Sequence, residues 1–414
     1  MWSALRSGTG GTTRFEALQR RERSSQTVTS AKPLQLLREW PPGYGGVERV
    51  AHELASVWGG RVYSFDPQRQ ANNAVDACPV TYPRQVLPCS PPIARVQLPW
   101  PSRALVKLLL NSSPLHGHLP SPGVLLLLVA AKLLRPKRRV TAHWHSFLER
   151  SPGLSGQLFL VYQGLALKCL PLLTGVVTTS PTLAEALIEQ GCRPGQVQVL
   201  PCCLSDAQEH QLLAIPPRPV ASGRPMRVLF IGRLASYKRL DWLLHALAEL
   251  PKGWDLRIVG DGPHREAFQA LSQSLLGPDA PVVFLGQRNE AEKLEQIAAA
   301  DVLVLPSDRS NEAFGIVQLE AMAAAIPALA FERRRSGMGW VCRLKGLPWE
   351  QTPQQLAEVL ALLMQDPQKR HALGLEARRR YKNLFSRTSW LDTLHTWTRS
   401  LTEPSAEHHH RRCR

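Results

Sequence analysis

The residue types best suited to chemistry in this chain are two acids and two cations in its carboxyl-terminal half. Glu312 and Glu320 are separated by seven residues, and Gly232-Arg233 and Lys238 precede them in the sequence. Carboxylates accept short hydrogen bonds from sugar and ribose hydroxyl groups, whereas arginine and lysine neutralise a diphosphate. Recognition of phosphate and hydroxyl groups in one cleft indicates that the ligand is a nucleotide-sugar.

Local sequence patterns place these residues where strands turn into helices. Strand-like runs at 227–231 and 302–305 precede the two groups, and an amphipathic helical pattern follows each run. Such a turn presents free backbone N–H groups and the positive end of a helix dipole to an anion. Lys238 alone is typical of a solvated helix end. Glu320, however, interrupts an apolar helix, where an unpaired carboxylate is costly to bury, so the combination favours a binding site.

Further motifs extend this pattern to both halves of the chain. In the carboxyl-terminal half they are Gly232–Leu234, Ile258–Pro263, Phe284–Gly286, Ala300–Ser307, Glu312–Gly315 and Glu320–Ala323. Upstream, Pro41–Glu48 is a glycine-rich loop, and Trp144–Ser146 contains His145. From about residue 33 to residue 396, the sequence resembles the retaining glycosyltransferases of family 4, which belong to the glycosyl transferases group 1.

The resemblance implies an α/β protein of the GT-B fold, in which two Rossmann-like, doubly wound domains face each other across a cleft. The alternation of strands and helices after residue 226 independently predicts a parallel sheet with its ligand at the strand carboxyl ends. The predicted organisation is a mobile leader at 1–32, an acceptor-side domain at 33–213, a proline-rich linker at 214–225, a nucleotide-sugar-binding domain at 226–396 and a tail at 397–414.

The resemblance also assigns residues to the donor diphosphate. Arg233 and Lys238, next to Gly232, would neutralise the leaving diphosphate. The backbone of Gly45-Gly46 would approach the same group from the other domain. Fixed donors of this kind act on the charge that develops in the transition state.

Other residues are assigned by the resemblance to the sugar and the ribose. Glu312 would bind hydroxyl groups of the donor sugar, with the backbone N–H groups of Phe314 and Gly315 nearby. Glu320 would bind the ribose. His145 would lie near the reacting sugar.

Three features depart from the family pattern. Phe147 occupies the position where an acid often follows the histidine-serine pair, and Ala325 replaces a common glycine. The segment 332–346 is basic and irregular, where the family usually has a more regular loop containing glycine. The sugar contacts therefore depart further from the family pattern than the phosphate site does.

No metal or organic cofactor is expected. The sequence contains no Asp-x-Asp pair, so a metal held in that way is excluded and the positive residues must meet the diphosphate charge. Two histidine pairs, His116-Gly-His118 and His143-Trp-His145, resemble zinc ligands, but this spacing without a nearby acid or cysteine is a weak signal. The family resemblance explains both pairs as residues of the cleft at strand ends.

The formal net charge of +17 restricts the classes of partner. A basic excess attracts nucleic acid, anionic membrane or acidic glycans. No nucleic-acid partner is expected, because no helix-turn-helix, zinc-finger or aromatic–basic strand motif is evident. A cluster of cations, Lys132, Arg135, Lys137, Arg138 and Arg139, follows the apolar run 123–131 and suggests an anionic membrane surface. That run is too short to span a bilayer and predicts a buried helix.

The leader and the cysteines bear on localisation. Residues 1–32 have the composition of a disordered segment, which resembles a transit peptide but is also typical of an over-extended start site. The eight cysteines show no C-x-x-C spacing and are expected to be reduced thiols. We expect a cytoplasmic protein, peripheral on the inner face of the membrane.

The predicted function is transfer of a sugar, by resemblance a hexose, from a nucleotide-sugar to a glycan or lipid-linked acceptor, with retention of anomeric configuration. Such enzymes act in polysaccharide and lipopolysaccharide biosynthesis. Two alternatives remain open. One is a degenerate, non-catalytic nucleotide-binding protein, motivated by Phe147 and segment 332–346. The other is a nucleotide-sugar epimerase, which shares the architecture.

Overall fold

The chain folds into two parallel α/β sheets. A computed structural model describes residues 31–39, 45–65, 80–91, 96–150, 153–220 and 223–402. The expected leader up to residue 30, the Pro41–Tyr44 part of the glycine loop and the end of the tail lie outside the described residues. Both predicted doubly wound sheets are confirmed.

The first sheet has seven parallel strands in the order β3-β2-β1-β4-β5-β6-β7. Its strands are β1 Leu34–Leu37, β2 Val62–Ser64, β3 Arg84–Val86, β4 Leu115–Leu119, β5 Val140–Trp144, β6 Gly175–Thr178 and β7 Val197–Val199. The order reverses beside β1, so loops after β1 and β4 border the switch point where ligands bind in such sheets.

The second sheet has five parallel strands in the order β10-β9-β8-β11-β12. Its strands are β8 Met226–Ile231, β9 Trp254–Val259, β10 Val282–Gly286, β11 Val302–Leu305 and β12 Ala328–Ala330. The switch point lies between β8 and β11, the two strands that precede the predicted site residues.

Helices connect successive strands and cover the sheets. They are α1 Gly46–Trp58, α2 Arg103–Leu110, α3 Pro122–Leu134, α4 Leu154–Cys169, α5 Pro181–Glu189, α6 Asp206–Ala214, α7 Leu240–Ala248, α8 Arg265–Leu276, α9 Glu290–Ala299, α10 Ile316–Ala323, α11 Met338–Cys342, α12 Leu356–Gln365, α13 Pro367–Leu384 and α14 Arg387–Thr402. Ser180 caps α5, accepting a 3.3 Å hydrogen bond from Leu183 N.

Each sheet has its own apolar core. Leu36, Val140 and Val176 are buried within the first core, and Val228, Leu256 and Val304 within the second. Because strands covered by helices on both faces have no solvent-facing side, strand β11 reads as the continuous apolar run Val-Leu-Val-Leu. The core of the second sheet extends through Leu212 of α6, which precedes the predicted linker.

The last helix corrects the predicted start of the tail. Helix α14 continues to Thr402, so residue 397 lies inside a helix. Trp397 is buried against Trp58 of the first domain, with ring centroids 5.5 Å apart, and Trp58 Nε1 donates a 3.1 Å hydrogen bond to Thr398. The chain therefore returns to the first domain at its last helix. This aromatic contact joins residues that are distant in the sequence, so no local sequence pattern predicts it.

The apolar run 123–131 is a helix, as predicted. It forms most of α3, which buries Val124, Leu127 and Leu128 against the first sheet. Within the described part of the chain, no helix is both long enough and apolar enough to cross a bilayer.

Candidate functional site

The turn after β8 brings the predicted phosphate-binding cations together. Gly232 directly follows the strand, and a Cβ at this position would lie 3.6 Å from Lys238 Nζ. The ammonium group therefore lies over the Gly232 backbone. Arg233 is exposed, and its side chain makes no hydrogen bond or ion pair within the described chain. One cation is fixed at the turn, and the other is available for a ligand.

The Gly260–Gly262 loop supports this turn. Leu234 N donates a 2.9 Å hydrogen bond to Asp261 O. A Cβ at Gly262 would lie only 2.5 Å from Leu234 O, so no side chain fits there without displacing the turn. The loop after β9 thus acts on the phosphate-binding turn by close backbone packing.

Lys238 and Glu312 form an ion pair between the loops after β8 and β11. Lys238 Nζ donates directly to Glu312 Oε2, and Lys238 is 8% exposed. Burial works against the ammonium ion, but the Glu312 carboxylate and the Tyr237 hydroxyl outweigh it and raise the pKa of Lys238. Lys238 is therefore charged at neutral pH. The pair couples the phosphate-binding turn to the acid predicted to bind the donor sugar.

Segment 332–346, which departs from the family pattern, positions Glu312. Ser336 Oγ donates a 2.6 Å hydrogen bond to Glu312 O, and Gly337 N donates a 2.7 Å hydrogen bond to Ala313 O. The segment also contains α11, and Ser336 is fully buried. Its irregular sequence therefore forms an ordered support beneath the acid.

Gly315 makes the turn into α10 possible. Its φ of 73° lies in the left-handed region, and a Cβ would lie 2.5 Å from Leu305 Cδ2. The N–H groups that begin a helix have no intrahelical partner. In α10, Gln318 N donates a 2.9 Å hydrogen bond to Gly315 O instead. Phe314 precedes this turn and is buried, with its ring centroid 5.9 Å from that of Phe385.

We expect Gly315→Ala to lower the free energy of unfolding by about 1–2 kcal/mol, the cost of the left-handed conformation for an L-residue. The contact with Leu305 adds to this cost. Gly164→Ala is the control, because Gly164 lies inside α4 with nothing within 4 Å of its added Cβ. That change should be stabilising, since alanine favours helix. Urea denaturation measures both variants; wild-type stability of Gly315→Ala would contradict the assigned backbone strain.

Glu320 is buried in α10 with one oxygen unsatisfied. It is 1% exposed, and its Oε1 lies 3.0 Å from Lys293 Nζ and 3.8 Å from Arg49 Nη1. Its Oε2 has no hydrogen-bond partner among the described residues. A buried carboxylate oxygen without a donor is costly. A ligand hydroxyl group at this position would satisfy it.

Two helix amino termini from different domains meet at the cleft. Helix α1 begins at Gly46, and a Cβ there would lie 3.8 Å from Ile316 Cδ1 at the start of α10. Gly45 is the residue before α1 and has an extended backbone. Arg49 of α1 also lies 3.7 Å from Glu290 of the second domain. Two positive dipole ends therefore point toward one region, where an anion is stabilised.

His145 lies at the end of β5 in a hydrogen-bonded histidine pair. It is 7% exposed, and its Nε2 lies 2.9 Å from His118 Nδ1. Burial lowers the pKa of His145 well below its usual value, and neighbouring histidines add to the effect. The imidazole is therefore neutral at physiological pH.

A cavity of about 570 Å³ opens beside these residues. It is lined from the first domain by Glu48, His118 and Ser146, and from the second by Arg309 and Asn311. Burial, together with the charge of Glu39, raises the pKa of Glu48. The cavity therefore adjoins both the histidine pair and the loop that carries Glu312.

An acid lines the cavity despite Phe147. Phe147 is fully buried against Trp144, whereas Glu149, two residues later, lies in the cavity wall. Glu149 Oε1 accepts a 2.5 Å hydrogen bond from Ser310 N of the other domain. The acid missing after the histidine-serine pair therefore has a nearby counterpart that also joins the two domains.

Sequence reasoning missed the partners of Glu320 and the residues of the cavity. Lys293 and Arg49 are surface-type cations in amphipathic helices, and only the fold brings them to Glu320. Glu48 was within the quoted glycine loop, and its position there was the available signal.

Comparisons with known proteins identify the family of both domains. The Glycosyltransferase Family 4 model matches residues 44–208, and the Glycosyl transferases group 1 model matches residues 215–380. D-inositol 3-phosphate glycosyltransferase of Kineococcus radiotolerans is 32% identical over 207 residues, which are 44% of this chain. The alignment covers 46% of that relative, so the chain spans about half its length.

A second relative and a crystal structure match over more of the chain. O-antigen chain mannosyltransferase C of Escherichia coli is 26% identical over 375 residues, covering 85% of this chain and 94% of that protein. The crystal structure of HepE from Anabaena in complex with UDP has a TM-score of 0.66 and 20% identity, covering 89% of this chain and 100% of that chain. This likeness shows a common fold.

Proposed function

Because the chain belongs to the family 4-type glycosyltransferases of GT-B fold, we propose that it transfers a hexosyl group from a nucleotide-sugar to an acceptor. The acceptor is a glycan or a lipid-linked sugar, and the anomeric configuration is retained. The observation that carries this proposal is the convergence of two helix amino termini, a buried lysine and a buried acid with an unsatisfied oxygen at one cleft.

The leaving group of such a reaction is a nucleoside diphosphate, whose charge grows as the glycosidic bond breaks. Lys238 is held over the Gly232 backbone, and Arg233 has no competing partner in the described chain. Together with the amino termini of α1 and α10 they supply positive potential before the reaction begins. Preorganised charges of this kind stabilise the transition state without reorganisation. The proposed transfer therefore needs no metal at the diphosphate.

Glu320 and Glu312 divide the recognition of the donor hydroxyl groups. The unpartnered Oε2 of Glu320 accepts from the ribose, and Glu312 accepts from the sugar while its carboxylate contacts Lys238. The HepE structure contains UDP, which makes a uridine nucleotide the first donor to test. His145 is neutral and lies near the reacting carbon.

The cavity has the character of an acceptor site. Its wall combines polar side chains with Leu148, Phe159 and Tyr162. A sugar stacks on aromatic rings and donates to carboxylates, and the acids Glu48 and Glu149 line the same cavity. Phe159 and Tyr162 belong to α4, whose outer side exposes leucines, so the cavity adjoins an apolar surface suited to a lipid-linked acceptor.

The proposal is tested by incubating the protein with a panel of nucleotide-sugars, with and without candidate acceptors. Mass spectrometry of the acceptor should show a gain of one hexose, and free nucleotide should accumulate with it. Conversion of a nucleotide-sugar to an isomer without acceptor would instead identify an epimerase. Nucleotide binding without any conversion, across all donors and acceptors, would identify the non-catalytic alternative.

The first domain also exposes an apolar surface suited to a membrane. Eleven of the fourteen exposed large apolar side chains of the described residues lie between Leu98 and Leu172. They include Val106 and Leu110 on α2, Leu126, Leu133 and Leu134 on α3, and Leu158, Val161 and Leu165 on α4. These three helices are neighbours. An apolar patch of this extent marks an interaction surface.

The predicted cationic cluster is smaller than the sequence suggests. Arg138 is 4% exposed and donates to Ser113 O and Leu108 O, and Lys132 Nζ donates to Pro136 O and Thr174 Oγ1. Arg139 donates to Ser400 O. The side chains of these three cations therefore make hydrogen bonds within the protein. Only Arg135 and Lys137 of the cluster are fully exposed, beside Leu133 and Leu134.

We expect weak, salt-sensitive binding to anionic vesicles, with each charge near the surface contributing about 1 kcal/mol. Replacing Arg135 and Lys137 by Gln should reduce binding, because these charges lie at the apolar patch. Added salt should also reduce binding, since it screens charges separated by more than about 8 Å. Lys252→Gln with Lys345→Gln is the charge-matched control in the second domain. Vesicle sedimentation decides: equal binding to anionic and neutral lipid at low salt, or equal binding of both double variants, would exclude this surface and leave a non-membrane acceptor.

A further inference from the structure

Four buried histidines lie on one face of two neighbouring strands. The parallel register pairs His118 of β4 with His143 of β5, and residues two apart along a strand share a face. His116 and His143 are therefore neighbours, and His145 follows on the same side. Their ring centroids are 5.6 Å apart for His116 and His143, and 4.2 Å apart for His143 and His145.

Several ring nitrogens in this cluster are unsatisfied. Neither Nδ1 nor Nε2 of His143 has a hydrogen-bond partner in the described residues, although His143 is 0% exposed. The same is true of His116 Nε2, in a side chain that is 1% exposed. Buried polar atoms are nearly always paired, and each exception requires an explanation such as an ion or a water molecule.

The remaining nitrogens are held by groups that orient the rings. His116 Nδ1 lies 2.9 Å from Thr141 Oγ1, and His118 Nε2 lies 2.9 Å from Gln35 Oε1. These contacts leave His116 Nε2 without a partner among the described residues and His118 Nδ1 in its 2.9 Å contact with His145 Nε2. Histidines that bind metals usually use one nitrogen for the metal and the other for such a second partner.

We propose that His116, His118 and His143 bind one transition-metal ion of the zinc class. One ring nitrogen from each residue can be chosen so that all three lie within 4.8 Å of one another. Zinc–nitrogen bonds are about 2.0–2.1 Å long, so the rings must rotate inward on binding. The hydrogen bond between His118 and His145 is then exchanged for a metal bond, which leaves His145 Nε2 as a fourth ligand.

The chemistry of the ligands selects the ion. Neutral imidazole binds zinc, copper, nickel and iron, whereas magnesium and calcium require oxygen ligands. His118 lines the 570 Å³ cavity, which supplies an entry path for the ion. This site shares His118 with the cavity and His145 with the proposed sugar-binding region, but it uses none of the diphosphate-binding cations.

The test uses the full chain with His408, His409 and His410 replaced by alanine, because three consecutive histidines also offer imidazole ligands to an added metal. After removal of metal, calorimetry with Zn²⁺ should give one site per chain, and Co²⁺ should produce visible absorption bands of tetrahedral coordination. His116→Gln and His143→Gln should each weaken binding at least about tenfold and abolish the bands. His52→Gln, at a half-buried histidine bonded to Tyr82, should leave binding unchanged.

Replacing a residue that orients the site but supplies no ligand separates coordination from folding. Gln35→Met removes the partner of His118 Nε2 at similar side-chain volume and should weaken Zn²⁺ binding by about 10–100-fold. Thermal unfolding with and without Zn²⁺ identifies folded variants and should show a higher Tm only where the site is intact. No saturable binding by the parent chain, or unchanged binding in folded His116→Gln or Gln35→Met, would overturn the proposal.

Discussion

Lys238→Ala and Arg233→Ala are each expected to lower kcat by about 10²–10³-fold, the scale for loss of one preorganised charge that stabilises a transition state. Lys238 is fixed over the Gly232 backbone by Glu312, and Arg233 faces solvent at the same turn. Both charges oppose the one that develops on the departing diphosphate. Steady-state rates with saturating donor and acceptor measure the effect.

The two variants differ in the side-chain contacts that each substitution removes. Lys238→Ala leaves Glu312 unpaired, whereas Arg233→Ala removes no contact within the described chain. Arg233→Ala therefore separates catalysis from stability. Lys252→Ala is the control, because this exposed lysine precedes β9 at the amino end of the sheet, opposite the site. Wild-type turnover in Arg233→Ala or Lys238→Ala, with an unchanged thermal transition, would contradict the assignment of these cations to the diphosphate site.

Glu320→Gln and Glu312→Gln should differ in the step that they affect. The Glu320 Oε2 is buried without a donor, so its replacement by an amide nitrogen would face the ribose with the wrong polarity and weaken nucleotide binding. Glu312 contacts Lys238 and the proposed sugar position, so Glu312→Gln should lower kcat and leave the affinity for free nucleoside diphosphate nearly unchanged.

Titration calorimetry with the nucleoside diphosphate, combined with steady-state kinetics, separates these effects. Loss of affinity in Glu320→Gln alone, at least tenfold or about 1.4 kcal/mol, would support the division between ribose and sugar. Glu292→Gln serves as a matched control, because this acid caps α9 on the surface. Equal loss of nucleotide affinity in the Glu312 and Glu320 variants would contradict the assigned roles.

Two strands of the second sheet were predicted closely from the sequence. Strand β11 has the predicted bounds 302–305, and the predicted run 227–231 lies within β8 Met226–Ile231, because strand and helix patterns alternate regularly after residue 226. In residues 60–114 the strands β2 and β3 have only three residues each. So short a run carries no readable period, and this stretch could not be assigned.

The local motifs of the site were predicted, but the contacts between distant segments were not. The sequence placed Glu312, Gly315 and Glu320 after one strand and Lys238 after another, and parallel strands bring such ends together. It could not indicate that Arg49 approaches Glu320, because that contact depends on how two domains meet. The sequence showed both histidine pairs but could not indicate that they form one cluster, since that assembly depends on the register between β4 and β5.

The most direct test of the account is the release of nucleoside diphosphate from a nucleotide-sugar as a function of acceptor, in the wild type and in Arg233→Ala. In the wild type, we expect the release of nucleoside diphosphate to rise with acceptor concentration and to equal the amount of glycosylated acceptor. In Arg233→Ala, the release should fall by about 10²–10³-fold. Release of nucleoside diphosphate that does not depend on the acceptor would contradict the proposed transfer. An Arg233→Ala rate equal to that of the wild type would contradict the role of Arg233.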